Sequence, residues 1–305
     1  MAFDAFALIL AMLALGMVFA RLRLFPDGAA NVLNLVVLYV CLPAAVLTFV
    51  PRLHLDPSLL GLVATPWLLM GATFVLVGLA TRVLKLSREE HAGLLLCVGF
   101  ANSGFIGYPM VRALLGDHAL PHAVVYDQFG SFLMLSTLGI YILARYAGEA
   151  TPGVGQIALR IARFPPLWGL VFALTLMPQD PPHWIGSGLQ RLSDAMLPLV
   201  MLSVGLSIQL RLPRRELKAL AVGVVLRLVA MPLLAVPIGY AFGLRGEVFQ
   251  ANVLESGMPT MITAAALAIS HDLAPRLCAA ITGYSIVLSL ATLPLLAWLL
   301  PHLAR

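Results

Sequence analysis

Long apolar stretches separated by short polar connections run through the whole chain. A helix needs about 20 apolar residues to cross the hydrocarbon core of a bilayer, at a rise of about 1.5 Å per residue. On that measure the pattern predicts ten membrane helices, at about 3–20, 29–50, 58–81, 91–115, 122–146, 155–176, 188–210, 217–241, 248–270 and 276–300. The sixth contains Pro165-Pro166 and reads as a short or kinked span. The runs are continuous and lack the alternation of a barrel strand. The expectation is an all-α polytopic membrane protein.

The longest polar connection, Gly148-Glu149-Ala150-Thr151-Pro152-Gly153-Val154-Gly155, reads as a linker at 148–155. It divides the chain into a first five-helix half, 1–147, and a second, 156–305. Each half holds an odd number of spans, so the second starts on the opposite side of the membrane. Two related halves placed in this way form an inverted repeat. The connections after odd-numbered spans carry Arg21, Arg23, Arg82, Lys85, Arg88, Arg145, Arg160, Arg163, Arg211, Arg214, Arg215, Lys218 and Arg276. The others and the tail carry only Arg52, Arg112, Arg191, Arg245 and Arg305, with Arg227 inside span 8. The positive-inside rule places the linker in the cytoplasm and both termini outside it.

Composition agrees: 61% of residues are hydrophobic and 11% charged, with a mean hydropathy of +0.96. The net charge of +5 sits between the spans, which explains it by topology and not by nucleic acid. Cys41, Cys97 and Cys278 fall within or beside spans, which argues against a disulfide framework and against zinc. The N-terminus has Asp4 in place of a basic leader region and reads as a retained first helix. The histidines show no metal spacing, and no cofactor is expected. No P-loop, zinc-protease or nucleophile-elbow motif occurs, so the chain does not read as an enzyme. Transport would be passive or driven by an ion gradient.

One signature occurs twice, as Ala101-Asn102-Ser103-Gly104-Phe105-Ile106-Gly107-Tyr108-Pro109 and as Ala251-Asn252-Val253-Leu254-Glu255-Ser256-Gly257-Met258-Pro259. Both copies lie inside apolar spans, the fourth and the ninth. Leu42-Pro43 against Leu197-Pro198, and Pro121 against Pro275, extend the match to spans 2 and 7 and to spans 5 and 10. A proline removes one N–H and frees the carbonyl four residues back, near Phe105 and Glu255. A helix broken in hydrocarbon needs protein or a wet cavity to satisfy it. Each break also creates a helix N-terminus that attracts anions. The substrate-binding candidates are Asn102, Ser103, Gly104, Gly107, Tyr108, Pro109, Asn252, Ser256, Gly257, Pro259 and Thr260. Asn and Ser here would otherwise glue helices together. Glu255 is the ion-coupling candidate, since a carboxyl inside a membrane marks a proton path or a structural pair with an arginine. Arg227 either snorkels to the cytoplasmic interface or attracts an anionic substrate. Asp127 and Gln128 open span 5, closer to the outer interface, and are secondary candidates.

The ten spans, the outside termini, Asn-Ser-Gly-Phe-Ile-Gly-Tyr-Pro in span 4 and Glu-Ser-Gly-Met-Pro in span 9 resemble the auxin efflux carrier family, whose bacterial members include malonate and malate permeases. The resemblance implies a scaffold and a transport domain, broken spans 4 and 9 crossing near Pro109 and Pro259, an elevator-like alternation, carboxylate substrates and homodimers. The expected function is a secondary transporter of organic anions, malonate, malate or auxin-like acids, with a proton as the coupling ion and the lipid bilayer as its setting. A sodium-coupled symporter of the bile-acid type and a membrane sensor that moves nothing are the rivals.

Overall fold

The computed structural model describes residues 2–52, 59–147, 153, 155–156, 159, 162, 165–208 and 216–303. Of the predicted linker 148–155, only Gly153 and Gly155 belong to the described residues.

The described chain is helical. Its α-helices are α1 (Ala2–Leu22), α2 (Ala29–Val36), α3 (Leu42–Phe49), α4 (Leu59–Leu84), α5 (Arg88–Gly99), α6 (Tyr108–Leu115), α7 (Leu120–Tyr126) and α8 (Ile140–Ala147). They continue with α9 (Pro165–Thr175), α10 (His183–Asp194), α11 (Met196–Ser207), α12 (Leu217–Val225), α13 (Met231–Ala241), α14 (Gly246–Ser256), α15 (Ile262–Ser270) and α16 (Pro275–Leu303). Among the described residues, six uninterrupted helical runs are long and apolar enough to cross a membrane, at Ala29–Phe49, Leu59–Leu84, Asp117–Ala147, His183–Ser207, Leu217–Ala241 and Pro275–Leu303. Ala7–Leu22 is a shorter apolar helix. The windows predicted at 91–115 and 248–270 are each two shorter helices around an interruption, α5 with α6 and α14 with α15.

Three prolines inside apolar spans are absorbed without a break. Pro43, Pro109 and Pro232 each stand second in a helix that follows a π turn, at Val37–Cys41, Ser103–Gly107 and Leu226–Ala230. A π turn shifts the ladder from four residues to five. That moves the carbonyl that would meet the pyrrolidine ring and keeps the helix continuous.

The chain folds as two compact units, and each draws on both sequence halves. One comprises Met1–Leu55, Gly104–Val124 and Ile161–Ile208. The other comprises Asp56–Ser103, Val125–Arg160 and Gln209–Arg305. In the first, α1 packs along α11 with backbones in contact at Gly16 and Gly205. A Cβ on Gly205 would fall 2.4 Å from the Leu13 carbonyl oxygen, so only glycine permits the approach, as small residues do between membrane helices. Ser203 Oγ donates to Asn34 Oδ1 at 2.8 Å and ties α2 to α11.

In the second unit, α5 and α14 form the core. Leu94, Leu95, Leu96, Cys97 and Val98 of α5 and Phe249, Ala251, Asn252, Val253 and Leu254 of α14 are all fully buried. A helix buried on every side lies inside its fold. A capping box starts α5: Ser87 Oγ accepts from Glu90 N at 3.1 Å and Glu90 Oε2 from Ser87 N at 2.8 Å.

Candidate functional site

The two core helices of the second unit stop where their spans are interrupted. α5 ends at Gly99, and Phe100 is extended, with φ −111° and ψ 113°. α14 ends at Ser256, and the chain stays unwound to Met261 before α15 begins. The two unwound segments run antiparallel, with Ala101 opposite Thr260. Asn102 N donates to the Pro259 carbonyl at 2.9 Å, and Met261 N to the Phe100 carbonyl at 2.9 Å. Each interruption therefore satisfies the backbone of the other, as buried polar groups require.

The first interruption does not lie at its proline. It spans Phe100–Asn102, while Pro109 is the second residue of α6. The second does contain Pro259, and the freed Glu255 carbonyl accepts from Met258 N at 3.1 Å.

Side chains complete the crossing. Thr260 Oγ1 donates to the Cys97 carbonyl at 2.8 Å. Arg227, 2% exposed, donates through Nη1 to the Val98 carbonyl at 2.7 Å and through Nη2 to the Ser256 carbonyl. It neither snorkels nor points to the surface. Burial of its long stem places the guanidinium among the last carbonyls of α5 and α14, where a cation meets the negative ends of two helices. Asp127 and Gln128 are also interior, 4% and 2% exposed, because span 5 continues upstream through α7 and starts earlier than the polar pair. Ser103 Oγ donates to Asp127 Oδ1 at 2.6 Å and Gln128 Nε2 to Asp127 Oδ2 at 3.1 Å. Ser256 Oγ donates to the Asn252 carbonyl at 2.7 Å and lies 3.1 Å from the hydroxyl of Tyr126.

Two fully buried side chains stand apart from this network. Neither amide atom of Asn252 and neither carboxyl oxygen of Glu255 has a hydrogen-bond partner among the described residues. Leaving such a group unpaired costs about 1–3 kcal/mol, so each marks a place poised for a further partner. They lie three residues apart on α14, hence on one face. Asn102 is fully buried as well.

The candidates thus separate. Asn102, Ser103, Asn252, Glu255, Ser256, Gly257, Pro259 and Thr260, with Asp127, Gln128 and Arg227, belong to the second unit. Gly104, Gly107, Tyr108 and Pro109 belong to the first. There Tyr108 and Pro109 line a cavity of about 760 Å³ with Arg112, Asp117, His118 and Asp194. Arg112 pairs at 2.5 Å with both Asp117 and Asp194 and stands 5.6 Å over the Phe49 ring. The sequence marks Arg112 only as a charge between spans. Its place on the same helix face as Tyr108, four residues earlier, is the signal that it shares a cavity. Tyr126, beside Ser256, immediately precedes the polar pair and looks like an ordinary core aromatic.

The chain matches the family model described as "membrane transport protein" over residues 1–297. It is 34% identical over 295 residues to an uncharacterized transporter of Methanothermobacter thermautotrophicus, covering 94% of each chain. A second uncharacterized transporter, from Methanocaldococcus jannaschii, is 26% identical over 318 residues, with 97% of this chain and 98% of that one covered. The chain belongs to the membrane transport protein family, that of the auxin efflux carriers, and is a multi-pass membrane transporter.

Proposed function

We propose that the protein is a secondary transporter of organic anions, carboxylates such as malonate or malate or auxin-like acids, working by alternating access and coupled to protons. The observation that carries this reading is the buried crossing at Ala101 and Thr260, with Asn252 and Glu255 unpartnered on one face of α14. The Ser103, Ser256 and Thr260 hydroxyls donate inside the protein and keep only acceptor capacity, which an anion does not use. At the crossing, the donors without a partner among the described residues, and so left for a carboxylate, include the side-chain amide of Asn252 and the Nε of Arg227. Glu255 is the coupling group: a buried carboxyl that exchanges a proton when the crossing meets water.

Around this site we place ten membrane helices as two inverted five-helix repeats, 1–147 and 156–305, joined by the cytoplasmic linker 148–155. Both termini face the periplasm of a bacterial inner membrane, and the carrier forms homodimers. The repeat explains why two interruptions face each other in antiparallel sense near mid-membrane. Uptake of radiolabelled malonate and malate by proteoliposomes, with and without an inward proton gradient, tests the reading. A gradient that accelerates wild-type uptake and leaves Glu255→Gln unaffected supports it. Uptake of neither acid, or equal acceleration in both proteins, refutes it.

A further inference from the structure

The crossing brings together two helix C-termini. The last carbonyls of a helix have no partner within it and carry partial negative charge. In carriers built on broken helices, such carbonyls and C-terminal ends are where a mobile coupling cation is coordinated. Here a side chain takes that place. Val98 precedes the last residue of α5, and Ser256 is the last residue of α14. The Arg227 guanidinium donates to both carbonyls, one with each terminal nitrogen. Its hydrogen-bond partners among the described residues are therefore both main-chain carbonyls at helix ends. Tyr126 is the titratable side chain that interacts electrostatically with it, and Tyr126 in turn interacts with Glu255 and Asp127.

We propose that Arg227 is a tethered cation, built into the chain where a broken-helix carrier would otherwise bind an alkali ion, and that it makes this carrier independent of sodium. A planar guanidinium presents paired N–H groups in a fixed fork, so one cation reaches two carbonyls at once. A lysine ammonium is a point charge with no such fork and holds one carbonyl well. The π turn at Leu226–Ala230, which accommodates Pro232, carries Arg227. π turns inside helices recur at functional sites. With α5 and α14 joined through Arg227, the crossing keeps its geometry through the transport cycle without an ion arriving or leaving.

The inference rests on the crossing being a transport site only for its transport arm. Its first test needs no substrate. Thermal unfolding of the purified protein in detergent is followed in choline chloride, in sodium chloride, and in choline chloride with millimolar ethylguanidinium. Wild type is expected to unfold at one temperature in all three. Arg227→Ala is expected to unfold several degrees lower in choline, and ethylguanidinium or sodium to restore at least half of the loss. Arg227→Lys falls between the two. In proteoliposomes wild-type malonate uptake is equal in sodium and choline, while uptake by Arg227→Ala requires one of the added cations. A wild type stabilised by sodium over choline overturns the proposal, as does an Arg227→Ala protein that no cation stabilises. If Arg227→Ala does not fold, the wild-type comparison and Arg227→Lys still decide. A protein that carries no malonate but shows these thermal shifts fails as a malonate carrier and keeps its tethered cation.

Discussion

The main-chain N–H of Asn102 donates to the carbonyl of Pro259 at 2.9 Å, so a residue of the first signature copy is bonded to a residue of the second. Two interruptions that would each be costly in hydrocarbon are stable because each completes the other. The same pairing holds α5 and α14 at the centre of their unit with Asn252 and Glu255 on one face.

Thr260 closes this crossing through its hydroxyl, bonded to the Cys97 carbonyl at 2.8 Å. Thr260→Val keeps the shape and leaves that buried carbonyl unpaired, at a cost of about 1–3 kcal/mol. Thermal unfolding in detergent is expected to show a clear loss for Thr260→Val and almost none for Thr260→Ser. Equal losses would mean that the methyl group, not the bond, holds the crossing.

How much of this was legible before the structure varies by residue. The apolar windows locate the interrupted spans at 91–115 and 248–270, because hydrophobicity and length survive a break. Where the ladder opens is not local information. Both copies carry a proline at the same place, yet Pro109 is absorbed behind a π turn while Pro259 lies in the unwound segment. Which carbonyls find partners across the crossing decides this, and that is a property of the packed pair. Arg227 shows the same limit: a mid-span arginine reads alike whether its guanidinium reaches the interface or two helix ends. Glu255 and Asn252 were legible because a polar group in an apolar run has few reasons to be there.

Because Pro109 stands outside the interruption, its replacement has a distinct expected outcome. Pro109→Ala restores an N–H within a helix that the π turn at Ser103–Gly107 already keeps continuous, and it touches no bond that closes the crossing. Malonate uptake by this variant is expected to stay within a few-fold of wild type. A complete loss would place the functional break at the proline.

Gly205 lies against the Leu13 carbonyl, with no flexible side chain between them. Gly205→Ala forces α1 and α11 apart at an overpacking cost of about 1–3 kcal/mol. Its unfolding temperature should fall, whereas Gly71→Ala, where an added Cβ meets nothing within 4 Å, should not lower it.

Glu216, immediately ahead of α12, has its carboxyl held above the usual carboxylate range, first by burial and then by the like charge of Glu90, with Arg276 opposing. An acid raised in the folded state resists ionisation there, so the fold loses stability as pH rises from the ordinary carboxylate range through the raised value. Glu216→Gln should therefore unfold at a higher temperature than wild type at neutral pH. The gain should vanish in acid, where the carboxyl is protonated in both states. A gain independent of pH would contradict this origin.

The most direct measurement is the rate of labelled malonate uptake by proteoliposomes holding wild type, Asn102→Ala or Asn252→Ala, each first shown to unfold at the wild-type temperature. A carboxylate held at the crossing predicts that both variants lose at least tenfold in uptake. Wild-type rates in both variants would place the substrate elsewhere.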